Sequence, residues 1–215
     1  MIRAGQDNLL VGSVLAACSA GHGLASPTVT IFDLEFTAWE CSMARHWLSP
    51  GEFKEVVQIG AVKLDAENFT KVAEFDQLVR PRVNFPLGPY FEKLTGISSQ
   101  QVDRAGIDFA AAFAAFLDFA GDGPIASFGR DDKVLEENVR LYGLTRVRPL
   151  PLFYDLRGWF AVQGVDPRGM HSCDIGPAVG IPFEGRTHNA LDDARSIAAA
   201  MAKMAKNGAR LHRAA

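Results

Sequence analysis

VTIFDLE, residues 29–35, is the stretch on which the fold turns. Its first six residues are rich in β-formers and almost wholly apolar, the composition of a short strand buried on both faces. Strand side chains alternate, so Asp33 and Glu35, two residues apart, point to the same side of whatever sheet the run joins. Two like charges on one face repel, and a shared divalent cation would resolve that tension. An Asp-x-Glu is equally an ordinary polar exit from a strand, so alone it identifies no chemistry.

Outward from this run the chain alternates. EVVQIGAVKL at 55–64 reads as a second strand, and 74–79 as a third, closed by Pro81. A loop over 36–53 carries Trp39, Trp47, Pro50 and Gly51. A short helix over 86–96 is ended by Gly96, and FAAAFAAFLDFA at 109–120 is apolar all round, as a well-buried helix is. After the Gly/Pro break at 121–124 come a strand at 125–128, a helix at 131–142 and a fifth strand near 151–154. Helical segments at 156–162 and 173–179 lead to a last helix over 190–206. Hairpin-like spacing makes the first three strands antiparallel, and intervening helices make the later ones parallel. The expected fold is α/β, a mixed five-stranded sheet with helices on both faces.

The 215 residues fit one domain with a short extension, 48% hydrophobic and 22% charged. The expected division is a loosely packed N-terminal extension at 1–27, the domain at 28–207 and a short tail at 208–215. LLVGSVLAACSA at 9–20 is too short to span a bilayer. With only Arg3 ahead of it, offset by Asp7, and a poor cleavage site, it reads as an extension rather than a secretion signal. Three cysteines without CxxC spacing favour a reducing, cytoplasmic setting over a disulfide framework. The net charge of −3 argues against non-specific coating of duplex nucleic acid. It is compatible with a nuclease, whose clustered carboxylates are themselves acidic.

Two further elements carry carboxylates. In SFGRDD, 127–132, a strand passes through Gly129 into a helix that opens on Asp131 and Asp132. Capping and the helix dipole alone would account for them. Asp131 shares its helical face with Val134 and Leu135, the core side, whereas Asp132 shares its face with Leu135 and Glu136 and should be the more exposed, which favours Asp131. In HNALDD, 188–193, Asp193 falls on the apolar stripe of Ala190, Ala194, Ile197, Ala198 and Met201. A carboxylate on the buried side of a helix needs a partner or a metal. His188 precedes that helix in a loop where it should be free to move.

Taken in order, a strand Asp-x-Glu, a post-strand Asp and His-x4-Asp at the last helix resemble the DEDDh family of 3′→5′ exonucleases, which share the ribonuclease H-like fold. The stretches FDLEFTAWE, EVVQIGAVKLD, FEKLTGISSQQVD, SFGRDDKVL and FEGRTHNALDDARSIA most resemble the histone-mRNA and small-RNA 3′ exonuclease branch. That resemblance implies two divalent ions, Mg²⁺ or Mn²⁺, held by Asp33, Glu35, Asp193 and either Asp131 or Asp132, with His188 handling the proton of the attacking water. The spacing from Gly129 in relatives selects Asp132; the helix register selects Asp131. The implied substrate is a single-stranded nucleic-acid 3′ end, RNA favoured over DNA, cut to nucleoside 5′-monophosphates. Leu94 and Thr95 match a segment that relatives place beside the terminal nucleotide. Phe36, Trp39 and Phe128, with Arg45, His46 and Trp47 nearby, are candidates for stacking on a splayed end. No membrane partner is expected, and oligomeric state is not legible. A catalytically dead scaffold would have lost a ligand or the histidine. A ribonuclease H-type endonuclease would want another carboxylate at the His188 motif and a basic duplex-binding surface.

Overall fold

The computed structural model describes residues 26–145 and 148–211. Most of the expected extension, residues 1–25, and the end of the tail, 212–215, lie outside the described residues. The strands are β1 (Thr28–Phe36), β2 (Val56–Asp65), β3 (Lys71–Leu78), β4 (Ile125–Ser127) and β5 (Phe153–Asp155). The helices are α1 (Pro89–Thr95), α2 (Ser99–Ala105), α3 (Phe109–Ala120), α4 (Asp131–Leu141), α5 (Leu156–Val162), α6 (Ser172–Ala178) and α7 (Ala190–Lys206). The sheet order is β3-β2-β1-β4-β5, with β1–β2 and β2–β3 antiparallel and β1–β4 and β4–β5 parallel. This is the mixed α/β sheet expected.

β1 lies at the centre, which is why its residues are apolar on both faces. Phe32 and Leu34 pack with Ile59, Ala61, Phe113, Phe116 and Leu135 under α3 and α4. Val29 and Ile31 pack with Val62, Leu64, Ala194, Ile197 and Met201 under α7. The period-2 alternation that sends Val29 and Ile31 to the α7 face sends Asp33 and Glu35 to it as well. The two carboxylates therefore continue a core stripe, at the end where the apolar packing stops.

α7 sits unusually close to the sheet at its first turn. A Cβ on Gly60 would fall 2.1 Å from the Leu191 nitrogen and 2.2 Å from the Ala190 carbonyl carbon. Gly60 is the register partner of Asp33, so the missing side chain lets the start of α7 settle beside that carboxylate. Gln58, paired with Glu35, anchors the approach: its side-chain amide oxygen Oε1 accepts the Ala190 N–H at 3.0 Å, satisfying one orphan donor of the helix.

Several boundaries differ from expectation for local reasons. β1 runs on to Phe36 and β3 begins at Lys71, because pairing with β2 extends both. α1 begins at Pro89 rather than at residue 86, since proline suits the first helical turn. α2 is an addition. Its signal was the capping box Ser98/Gln101, but seven residues with one buried apolar side chain, Val102, show no periodicity. Among the described residues, no helix is long and apolar enough to cross a membrane.

Candidate active site

A cavity of about 280 Å³ opens at the end of β1, lined by Asp33 and Glu35 together with Asp131, His171, Ser172, His188 and Asp193. Four elements deliver its acids and the histidine: β1, the start of α4, the loop before α7, and α7 itself. One ligand atom each from Glu35, His188 and Asp193 lies within 4.8 Å of the others. A larger groove of about 980 Å³ beyond α7 contains none of these groups.

The carboxyls suppress one another's ionisation. Burial pushes Asp33 up to about 7, against the pull of hydrogen bonds from the Ser172 hydroxyl and the Leu34 backbone. Burial also raises Glu35 well above the usual carboxylate range, and the charges of Asp33, Asp193 and Asp131 add to it. Asp131 is raised first by burial, then by Asp33, Asp132 and Asp155, with Arg157 opposing. Asp193 rises to about 8 through burial and Asp33, while a hydrogen bond from the His188 backbone lowers it. Asp193 Oδ1 is buried without a hydrogen-bond partner. Four acids held together at such cost, one with an orphaned oxygen, form a hard-oxygen donor set that fits divalent cations.

The adjacent aspartates part company. Asp131 faces the cavity, whereas Asp132 does not reach it. Asp132 accepts two hydrogen bonds from the Arg130 guanidinium, both at 2.8 Å, and Lys133 stands 3.9 Å away. The expectation that Asp132 would be the more exposed is wrong: Arg130 folds over it and leaves it 4% exposed. Of the two, it is Asp131 that lines the cavity.

His188 sits in a loop with more contacts than a solvated one would have. Its backbone takes φ 59, a left-handed conformation uncommon outside glycine, and its ring lies edge-on to His171 with centroids 6.0 Å apart. Burial, then His171 and Arg186, hold its imidazole below the usual 6.5, with Asp174 opposing. The loop is pinned on both sides. The Arg186 backbone donates to Asp192 at 2.9 Å, and its side chain donates to the Lys93 carbonyl at 3.1 Å. Gly96, left-handed at φ 74, makes room for that guanidinium, since a Cβ there would come within 2.4 Å of it.

Of the residues expected to hold substrate, Phe36, Trp39, Leu94 and Phe128 line the cavity. Thr95 does not. It is buried, its hydroxyl donating to the Phe91 carbonyl and accepting from the Ile97 N–H, both at 3.0 Å, so it finishes α1. Arg45 is taken up by Glu52 and the Glu40 carbonyl, and Trp47 packs on Phe36 while its indole N–H reaches the Thr37 carbonyl at 3.0 Å. Arg45 thus serves the loop's own mini-core, whereas Trp47 serves it and also lines the cavity. His171, Ser172, Tyr90 and Met43 also line the cavity, and none of them was expected there from the sequence. Only tertiary packing brings them there; the one sequence signal was His171 two residues before Cys173.

A model of the family described as Exonuclease (RNase_T) matches residues 30–201. The 3′-5′ exonuclease Snipper of Drosophila melanogaster is 25% identical over 202 residues, covering 84% of this chain and 70% of that protein. Mouse 3′-5′ exoribonuclease 1 is 27% identical over 195 residues, covering 85% of this chain and 54% of the relative, so the chain spans about half its length. Among solved structures, the nuclease domain of 3′hExo, described as a DEDDh family member bound to rAMP, is 25% identical with a TM-score of 0.73, covering 87% of this chain and 96% of that one. The sheet is thus the ribonuclease H-like one of the DEDDh exonucleases.

Proposed function

The chain belongs to the exonuclease family whose model spans residues 30–201, and on that premise we propose that it is a two-metal-ion 3′→5′ exonuclease acting on single-stranded nucleic acid. The observation that carries this reading is the convergence of Asp33, Glu35, Asp131, Asp193 and His188 on one cavity, with Asp193 Oδ1 left unpartnered. In this reading Asp33, Glu35, Asp131 and Asp193 hold Mg²⁺ or Mn²⁺. A bound pair of such ions supplies charge stabilisation to the attacking and leaving oxygens of a phosphoryl transfer.

The remaining chemistry belongs to the chain. His188 has its imidazole held below the usual value by burial, then by His171 and Arg186, which favours the neutral form able to take a proton from water. Its left-handed backbone and the Arg186 pins keep the ring at the mouth, so little ordering is left for the moment of reaction. Phe36, Trp39, Leu94 and Phe128 offer apolar walls against which a terminal base can stack. The cavity is small, which favours a chain end over an internal phosphodiester. RNA is the preferred substrate and nucleoside 5′-monophosphates are the products, in keeping with relatives named exoribonucleases and a structural neighbour described with rAMP.

The test uses 5′-labelled single-stranded RNA and DNA of one sequence, incubated with Mg²⁺. A ladder shortening one nucleotide at a time from the 3′ end, faster on RNA and abolished by EDTA, is expected. Internal cuts, or full turnover after exhaustive chelation, would overturn the reading.

A further inference from the structure

α6 (Ser172–Ala178) contributes no carboxylate to the cavity, yet it is hydrogen-bonded both to β1, which carries Asp33, and to α7, which carries Asp193. The Ser172 hydroxyl, buried, donates to Asp33 Oδ1 at 2.6 Å, joining residues 139 apart in sequence. At the other side of α6, the Ser196 hydroxyl accepts the Gly176 N–H at 3.0 Å and donates to the Cys173 carbonyl at 3.3 Å. Ser196 lies three residues along α7 from Asp193, on the same helical face. Gly176 allows the closeness: a Cβ there would stand 3.1 Å from the Ser196 oxygen.

We propose that α6 is a strut between β1 and α7, and that Ser172 is a positioning residue that orients the Asp33 carboxylate for metal binding. The proposal rests on the two-metal reading above.

Ser172 is not needed to start its own helix. That end is served by Asp174, whose carboxylate accepts the His171 N–H at 2.8 Å. Its hydroxyl is therefore committed to Asp33. A donor at 2.6 Å to a carboxylate oxygen is a strong, directional bond, and it occupies one lone-pair position of Oδ1. Together with the hydrogen bond from the Leu34 backbone, this bond fixes how the carboxylate is turned. The opposing load is the repulsion from Glu35, Asp131 and Asp193, which would otherwise rotate Asp33 away. The two serines make the Asp33–Asp193 separation a property of α6 rather than of those repelling charges. Partners of this kind around metal ligands are worth ~10–100-fold in metal affinity.

The experiment follows thermal stabilisation of the full chain against Mg²⁺ concentration, alongside kcat and the KM for RNA. In Ser172→Ala the Mg²⁺ needed for half-maximal stabilisation should rise by about tenfold or more. Turnover at low Mg²⁺ should fall in step and recover with excess Mg²⁺, with the KM for RNA unchanged. Ser172→Thr, which keeps the hydroxyl, should restore the wild-type midpoint. Ser172→Cys keeps the volume with a weak donor, and serves if the alanine variant does not fold. A wild-type Mg²⁺ midpoint in the alanine or cysteine variant overturns the positioning role while leaving the metal site standing. A wild-type chain that neither gains stability nor turns over with Mg²⁺ overturns the metal site and this inference together.

Discussion

Asp131 and Asp132 are chemically the same group one residue apart, and their neighbours make them opposites. Asp132 sits under a guanidinium fork that matches its two oxygens, so it is a satisfied, structural carboxylate. Asp131 faces the cavity, and after burial the largest influence raising it is the charge of Asp33 on β1. Asp131→Asn should therefore lower turnover by orders of magnitude while leaving the metal-free fold as stable or more so, because a repelling charge is removed. Asp132→Asn should lose about 1 kcal/mol of stability, modest because Arg130 is half-exposed, with turnover within roughly tenfold of wild type. Single-turnover rates and melting curves of the two variants decide it. A dead Asp132 variant beside an active Asp131 variant would return the metal ligand to the position that the glycine spacing selects.

At the scale of elements, the decisive contact is that of α7 with β2. The first turn of α7 carries Asp193 and adjoins His188, and Gly60 sets how near it comes to Asp33. Gly60→Ala would place a methyl group 2.1–2.5 Å from backbone atoms of Ala190 and Leu191, which no side-chain rotation relieves. Overpacking of this kind typically costs about 1–3 kcal/mol. The activity loss should exceed what the stability loss explains, because α7 must lift and carry Asp193 away from Asp33. Turnover of the variant well below its melting temperature checks this. Near-normal activity there would mean that the site tolerates a displaced α7. Sequence periodicity located this helix with its full span because its stripe is long and amphipathic. It had nothing to say about α2, whose seven residues have a cap but almost no buried face.

The whole molecule trades stability for its charge cluster, and the trade has a sign. Asp33 at about 7 and Asp193 at about 8 stand above their ordinary 3.8, with Glu35 and Asp131 shifted the same way. Between about pH 4 and pH 8 the folded metal-free chain keeps protons that the unfolded chain has released, so its stability falls as pH rises through that window. His188, held below 6.5, works in the opposite direction, but it is one group against four. Melting in EDTA should therefore occur at a higher temperature at pH 5 than at pH 8. In the proposed two-metal reading Mg²⁺ would bind the ionised cluster, so its stabilising effect should be larger at pH 8 than at pH 5. Melting curves in EDTA that rise from pH 5 to pH 8 would rule out the coupled burial described here.

From the sequence alone came the α/β class, the antiparallel-then-parallel order of strands, and the identities of Asp33, Glu35, His188 and Asp193 as a candidate set. The class and the strand order were legible because period-2 and period-3.6 patterns are local; the candidate set came from the order of the motifs, which resembles the DEDDh family, since each motif alone has an ordinary structural explanation. What tertiary structure alone decided is which groups meet. It turned Asp131 to the cavity and Asp132 to Arg130, which the one-residue ambiguity of SFGRDD left open. It buried Thr95 at the end of α1, pinned the His188 loop through Arg186, and brought Ser172 across 139 residues to Asp33. A hydrogen bond between distant residues leaves no period in either segment; it exists only once the sheet and α7 have fixed the distance between them.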